Sequence, residues 1–198
     1  MERLAVIARV TKERRRHAFG FAWIDRAGRL RCYKQQGRIS SSIDLLRMAA
    51  GVRFVIGHCR WVTQGSPADN INNHPHPCDG GWIVHNGQIH NYASVLERFN
   101  LWPNSDCDSE VLALRIEQES GRLLDAVLSV EKSPLVVLGL WKPGRLVAVR
   151  QGNPLSIGVA ADGFYLGSLP FGLPGKVSPM PDDTATLVNR EMRYVAIE

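Results

Sequence analysis

Leu4, Ile7 and Val10 recur at helical spacing, so residues 3–16 read as an amphipathic helix. The basic run Lys12, Arg14, Arg15, Arg16 falls in its last turn, where positive charge suits the helix dipole. From His17 to Asp25 the pattern changes to that of a strand. Ala27-Gly28 reads as a turn and Leu30–Tyr33 as the returning strand of a hairpin. Ser41–Met48 is again helical, with serines at its start, and Arg53–His58 is a short apolar strand. Residues 62–81 break every period; rich in Gly, Pro, Asn and His, they read as one long functional loop.

Beyond that loop, Gly81–His85 reads as a strand ending in the turn-forming dipeptide Asn86-Gly87. Ala93–Phe99, Ser109–Glu119 and Leu123–Val130 read as helices, the second opened by an Asp108-Ser109 cap. Strands are expected at Leu135–Trp141, Arg145–Gln151, Leu155–Ala160 and Gly163–Gly167. A further strand pair is expected between Phe171 and Val188, around a Pro/Gly-rich connection. Helices come early and antiparallel-looking strands dominate the end. This predicts an α+β layered fold spanning residues 1–198 as one domain, with no internal repeat.

Composition narrows the class. The chain is 44% hydrophobic and 22% charged, which suits a globular domain and excludes a disordered one. No run approaches the ~18 apolar residues of a membrane span. The opening MERLAVIARVTKERRRH is too charged for a secretory signal, so no membrane association and a cytoplasmic location are expected. The net charge of +5 comes largely from the basic run and from Arg53, Arg60, Arg98, Arg115 and Arg122. No nucleic-acid motif accompanies it, so the charge reads as solvated surface and nucleic acid is not an expected partner. The four cysteines, Cys32, Cys59, Cys78 and Cys107, read as free thiols in this setting.

The chemistry is concentrated between residues 57 and 111. Four segments follow in order: Gly57-His58-Cys59-Arg60-Trp61-Val62-Thr63-Gln64-Gly65, then Asn73-His74-Pro75-His76. After them come His85-Asn86-Gly87-Gln88-Ile89-His90-Asn91-Tyr92 and Asp106-Cys107-Asp108-Ser109-Glu110-Val111. The series resembles the glutaminase domain of class II glutamine amidotransferases, as in glucosamine-6-phosphate synthase. These carry HTRWATHG-like, NAHPH-like, VHNGIIEN-like and TDTEV-like segments in the same order. Arg16-His17-Ala18-Phe19-Gly20 resembles the family's RGxDSxG-like segment, and Gly152-Asn153-Pro154-Leu155-Ser156-Ile157-Gly158 its GSPLVIG-like strand. The resemblance covers roughly residues 13 to 190.

The resemblance implies a four-layer α/β/β/α sandwich of the N-terminal-nucleophile hydrolase type. It also implies hydrolysis of glutamine to glutamate and ammonia for a separate acceptor-binding synthetase subunit, with no cofactor. Such acyl transfer needs donors for the oxygen of a tetrahedral intermediate. By resemblance these are the Asn86 side chain and the Gly87 backbone N–H. Substrate binding falls to Arg60, whose planar fork matches a carboxylate, to the Thr63 hydroxyl, and to Asp108 for the α-ammonium. Trp61 is expected to pack beside the site. Gln64 stands where glucosamine-6-phosphate synthases have histidine.

The family's nucleophile is an N-terminal cysteine, whereas this sequence opens Met1-Glu2-Arg3. Either Met1–Val10 is the family's opening strand with Glu2 at the nucleophile position, or residues 3–13 are the helix that follows that strand. The first makes the domain a non-catalytic, ligand-binding or scaffolding relic. The second, which the helical spacing favours, places the nucleophile strand outside this sequence. Cys59 and Cys107 read as inert thiols rather than substitutes. His74, His76, Cys78, His58 and Cys59 are rich in ligand types but lack the paired spacing of zinc sites, so no metal is expected.

Overall fold

In the computed structural model, residues 17–39 and 43–197 are described. The helix expected over residues 3–16 lies outside them.

Strand β1 (Ala18–Ile24) is the centre of a three-stranded antiparallel sheet, between β2 (Leu30–Gln36) and β3 (Val55–Arg60). The turn after β1 is built by Asp25, whose Oδ1 accepts the N–H groups of Ala27 and Arg29, each at 2.9 Å. Side chains alternate across β1. Phe19, Phe21 and Trp23 form an outer core with Ile39 and Ala49. Ala22 and Ile24, with Ile56 of β3, pack inward against Val84, Leu140 and Leu146.

Those last three belong to a six-stranded antiparallel sheet of order β12-β11-β7-β6-β5-β4. It comprises β4 (His76–Cys78), β5 (Gly81–Gly87), β6 (Leu135–Trp141), β7 (Arg145–Gln151), β11 (Thr184–Leu187) and β12 (Tyr194–Ala196). Its opposite face, through Ile83, Leu135, Val137 and Val149, packs on helices α1 (Tyr92–Arg98), α2 (Glu110–Gln118) and α3 (Leu123–Leu128). Fully burying an Ile or Leu contributes ~1.5–3 kcal/mol, so this helix-facing core is a major stabilising layer. A third sheet joins β8 (Ser156–Ala160) to β9 (Gly163–Gly167) and β10 (Lys176–Pro179). Ile157 and Met180 pack there against Val136 and Ala148 of the six-stranded sheet. The expected α+β sandwich is present: two antiparallel sheets face to face, with helices over the larger one.

Four expectations need correction. The segment after Ser42 is a 3-10 helix, Ile43–Ala49, rather than an α-helix. Asn86-Gly87 is not a turn: β5 runs through it, with Asn86 opposite Val136 and Gly87 opposite Leu135. The two strands between Phe171 and Val188 do not pair with each other. Val177 of β10 registers with Gly158 of β8, while Ala185 of β11 registers with Val149 of β7. Finally, neither Asp108 nor Ser109 caps α2 through its side chain, because both are committed elsewhere in the fold. Two short strands, β4 and β12, have no counterpart in the periodicity. None of the described helices is long and apolar enough to cross a membrane.

Candidate functional site

The inward-facing ends of β3 and β5 open onto a cavity of about 2040 Å³ that extends from between the sheets to Phe21, Ile39 and Val52 of the outer core. On β5, Trp82 and Val84 face the smaller sheet, so Asn86 falls on the same face by the two-residue period. Asn86 and Gly87 line this cavity, together with His58, Trp61 and Thr63 from the opposite wall, while Cys59 lines it from the outer face of β3. Gly87 has no room for a side chain: a Cβ there would lie 2.7 Å from both Pro134 O and His85 Nε2. Trp61 is 54% exposed and packs its ring on His17, centroids 4.8 Å apart, so it stands at the mouth.

Arg60 and Asp108 lie behind this wall, each 3% exposed. Arg60 Nη1 donates to Asn73 Oδ1 at 2.9 Å, and its Nη2 donates to the carbonyls of Gln64 and Gly65. The guanidinium thus shapes the loop carrying Thr63 and Gln64. Asn73 is fully buried; its Nδ2 donates to Pro67 O at 2.9 Å and Asn70 Oδ1 at 3.0 Å. Gln64, whose role the motif leaves open, donates its side-chain amide to Tyr92 Oη at 3.0 Å. This bond ties the loop to the start of α1. The Asp108 carboxylate accepts the backbone N–H of Ile89 at 2.7 Å and so holds the chain just past Gly87. Ser109 Oγ instead meets His85 Nδ1 at 2.8 Å.

From the cleft wall inward the histidines pack in series, His58 tilted on His74 and His74 edge-on to His76. The rings of His58 and His74 are 4.3 Å apart, and those of His74 and His76 are 4.7 Å apart. Burial, followed by the positive potential of His58, keeps His74 neutral well below the usual histidine range. Burial and the nearby Lys34 charge bring His76 down to about 3. Gly20 admits this column: a Cβ on it would lie 2.2 Å from His74 O.

His74, His76 and Cys107 each bring one ligand-type atom within 4.8 Å of the others. His74 Nδ1, however, accepts the His85 N–H at 3.3 Å, which leaves its Nε2 protonated and facing Cys107 Sγ at 4.0 Å. The ring is already used by the protein on both sides. Burial raises the Cys107 thiol, and it takes Cys32 up to about 11 and Cys78 up to about 12. None of the four cysteines forms a disulfide among the described residues. Of these four, Cys59 alone lines the cavity, from the outer-core face of β3.

Two contributors were invisible to motif reasoning. Lys34, on β2, donates Nζ to Asn73 O at 2.8 Å from a partly buried position. In sequence it looks like an ordinary outward strand lysine. Asn153, quoted within a motif but given no role, reaches the Asn86 carbonyl across the sheet.

No family model matches the chain. A glutamine–fructose-6-phosphate aminotransferase (isomerizing) of Aquifex aeolicus is 32% identical, over 86% of this chain and 33% of its own length. The Thermotoga maritima protein of the same name is 38% identical, over 65% of this chain and 23% of its own length. The chain thus spans about a third or less of these relatives. Among solved structures, the glutamine phosphoribosylpyrophosphate amidotransferase of B. subtilis superposes with a TM-score of 0.81 at 19% identity. That match covers 100% of this chain and 46% of that one. A glutamine aminotransferase class-II domain protein of Silicibacter pomeroyi gives 0.57 at 16% identity, over 91% of both chains. The ordered motifs, the facing antiparallel sheets and these likenesses place the chain in the class II glutamine amidotransferase family, with the N-terminal-nucleophile hydrolase fold.

Proposed function

We propose that this domain binds glutamine in the cleft between the sheets and hydrolyses its side-chain amide, releasing ammonia to a separate acceptor-binding subunit. The observation that carries this reading is the placement of Asn86 and Gly87 on one cleft wall, opposite the loop that Arg60 organises. The Asn86 side-chain amide and the Gly87 N–H serve as the oxyanion hole, a role in which one donor is typically worth ~3–4 kcal/mol of transition-state stabilisation. Arg60 and Thr63 receive the α-carboxylate, Asp108 receives the α-ammonium, and Trp61 covers the entrance. The charges of Arg60 and Asp108 match a zwitterion. Both groups are buried and bonded within the protein, Arg60 to Asn73, Gln64 and Gly65 and Asp108 to the Ile89 N–H, so a bound glutamine would displace or share those bonds.

The nucleophile in this reading comes from residues outside those described. The raised thiols of Cys32, Cys78 and Cys107 make them poor nucleophiles. The test is glutamate and ammonia release from glutamine, read beside glutamine binding by calorimetry. Equal release of both products supports the glutaminase. Binding without turnover that persists when a cysteine-led opening strand is fused ahead of residue 1 selects the non-catalytic reading, a pocket kept without its nucleophile. Neither binding nor turnover by folded protein rejects both.

A further inference from the structure

We propose that Asn153 is a positioning residue that fixes the direction of the Gly87 N–H; this rests on the glutaminase reading above. The Asn153 side-chain amide nitrogen donates to Asn86 O at 2.9 Å and to Pro134 O, also at 2.9 Å. Asn86 O belongs to the same peptide group as the Gly87 N–H. In a planar trans peptide the carbonyl and the N–H point in opposite directions, so holding one aims the other. The second acceptor, Pro134 O, leads into β6, the strand that registers with Asn86 and Gly87. One amide therefore pins the proposed oxyanion donor to its neighbouring strand.

The turn that presents Asn153 is itself built for the task. Arg150 Nε donates to Asn153 O at 3.0 Å, and the Arg150 guanidinium also donates to Met180 O. Asp182 Oδ1 accepts the Gly152 N–H at 2.7 Å. Gly152 has φ +71, a left-handed conformation that glycine adopts without strain. A Cβ there would approach Pro134 to 3.2 Å, so glycine also lets the turn lie flush on the segment that Asn153 grips. Arg150 acts through its guanidinium and Gly152 through its backbone N–H, while Asn153 itself lines the cleft.

An anchored donor matters because an oxyanion hole acts through pre-set geometry. A misplacement of about 1 Å can cost on the order of 100-fold in rate. Losing the anchor should therefore weaken transition-state binding while leaving contacts to the glutamine α-carboxylate and α-ammonium intact.

The test compares wild type with Asn153→Ala and Asn153→Asp, the second keeping the shape while removing both donated bonds. In wild type the Gly87 amide should have an NMR order parameter near about 0.85, falling below about 0.6 in both variants, with β6 and β7 amides unchanged. Glutamine hydrolysis should lose about 10- to 100-fold in kcat with KM held within about twofold. Unchanged Gly87 order and unchanged kcat in a folded variant would overturn the proposal, as would a raised KM at constant kcat. If wild type hydrolyses no glutamine even with a cysteine-led opening strand supplied, the glutaminase reading fails. The Gly87 order parameter then decides alone whether Asn153 holds that peptide.

Discussion

Arg60 Nη1 and Asn73 Oδ1 meet at 2.9 Å, which fastens the loop after β3 back onto the strand that launches it. Asn73 also receives Lys34 Nζ on its backbone carbonyl, so β2, β3 and the loop after β3 meet at one fully buried residue. Asn73→Ala removes a bond to a charged group and leaves the loop carbonyl of Pro67 without its donor. We expect a loss of about 2–4 kcal/mol, read from the urea midpoint, together with weaker glutamine binding. A variant as stable as wild type would show that the loop holds itself without this residue.

Gly87→Ala tests the tightness of the cleft wall. The new methyl would press on Pro134 O, a backbone atom that cannot swing aside, and on His85 Nε2. Overpacking of this kind costs about 1–3 kcal/mol. Any hydrolysis should fall further than stability does, because the backbone donor moves with the clash. Full activity in Gly87→Ala would remove Gly87 from the oxyanion hole.

Acid should destabilise the fold through the buried histidines. His76 titrates near about 3 in the folded protein and His74 well below its ordinary value, against about 6.5 in an unfolded chain. Between those limits the unfolded state binds more protons, so stability rises with pH. Their neutral forms give full stability above about pH 6.5, which is lost as pH falls toward about 3, by up to about 1.4 kcal/mol per pH unit for each histidine. His76→Phe should flatten the dependence of urea midpoint on pH between about 6.5 and 4. An identical slope in the variant would place the acid sensitivity elsewhere.

Much of the scaffold was legible because strands β1, β6 and β7 carry long apolar runs with sharp turns beside them. The cleft residues Asn86, Gly87, Arg60 and Asp108 were legible only as ordered motifs, since each is ordinary when read singly. What stayed hidden depended on tertiary choice. Nothing local tells β10 to join β8, or β11 to join β7, because both segments are only four residues long. Asp108 has the local look of a helix cap, yet its carboxylate is taken by Ile89 N–H across the site. The 3-10 winding of Ile43–Ala49 and the short strand β4 give no distinct period. Lys34 has the sequence appearance of a solvated strand position, although burial lowers its pKa.

Metal analysis of purified protein should find zinc well below stoichiometric. The His74 ring accepts a backbone N–H through Nδ1, so Nε2 carries the proton and turns no lone pair toward Cys107. Burial also keeps the Cys107 thiol protonated. A stoichiometric ion that survives dialysis, with a thiolate charge-transfer band on cobalt substitution, would mean that the His74 ring turns over to bind it.

At Gly20 the strand β1 has no side chain where the carbonyl of His74 comes to rest, and a Cβ would sit 2.2 Å from that oxygen. The two positions are therefore coupled across more than fifty residues of chain. A change at position 20 would be tolerated only where the HPH segment had already moved outward. In a library that randomises both segments, surviving clones should change them together, and glycine at position 20 should persist wherever the histidine column is kept.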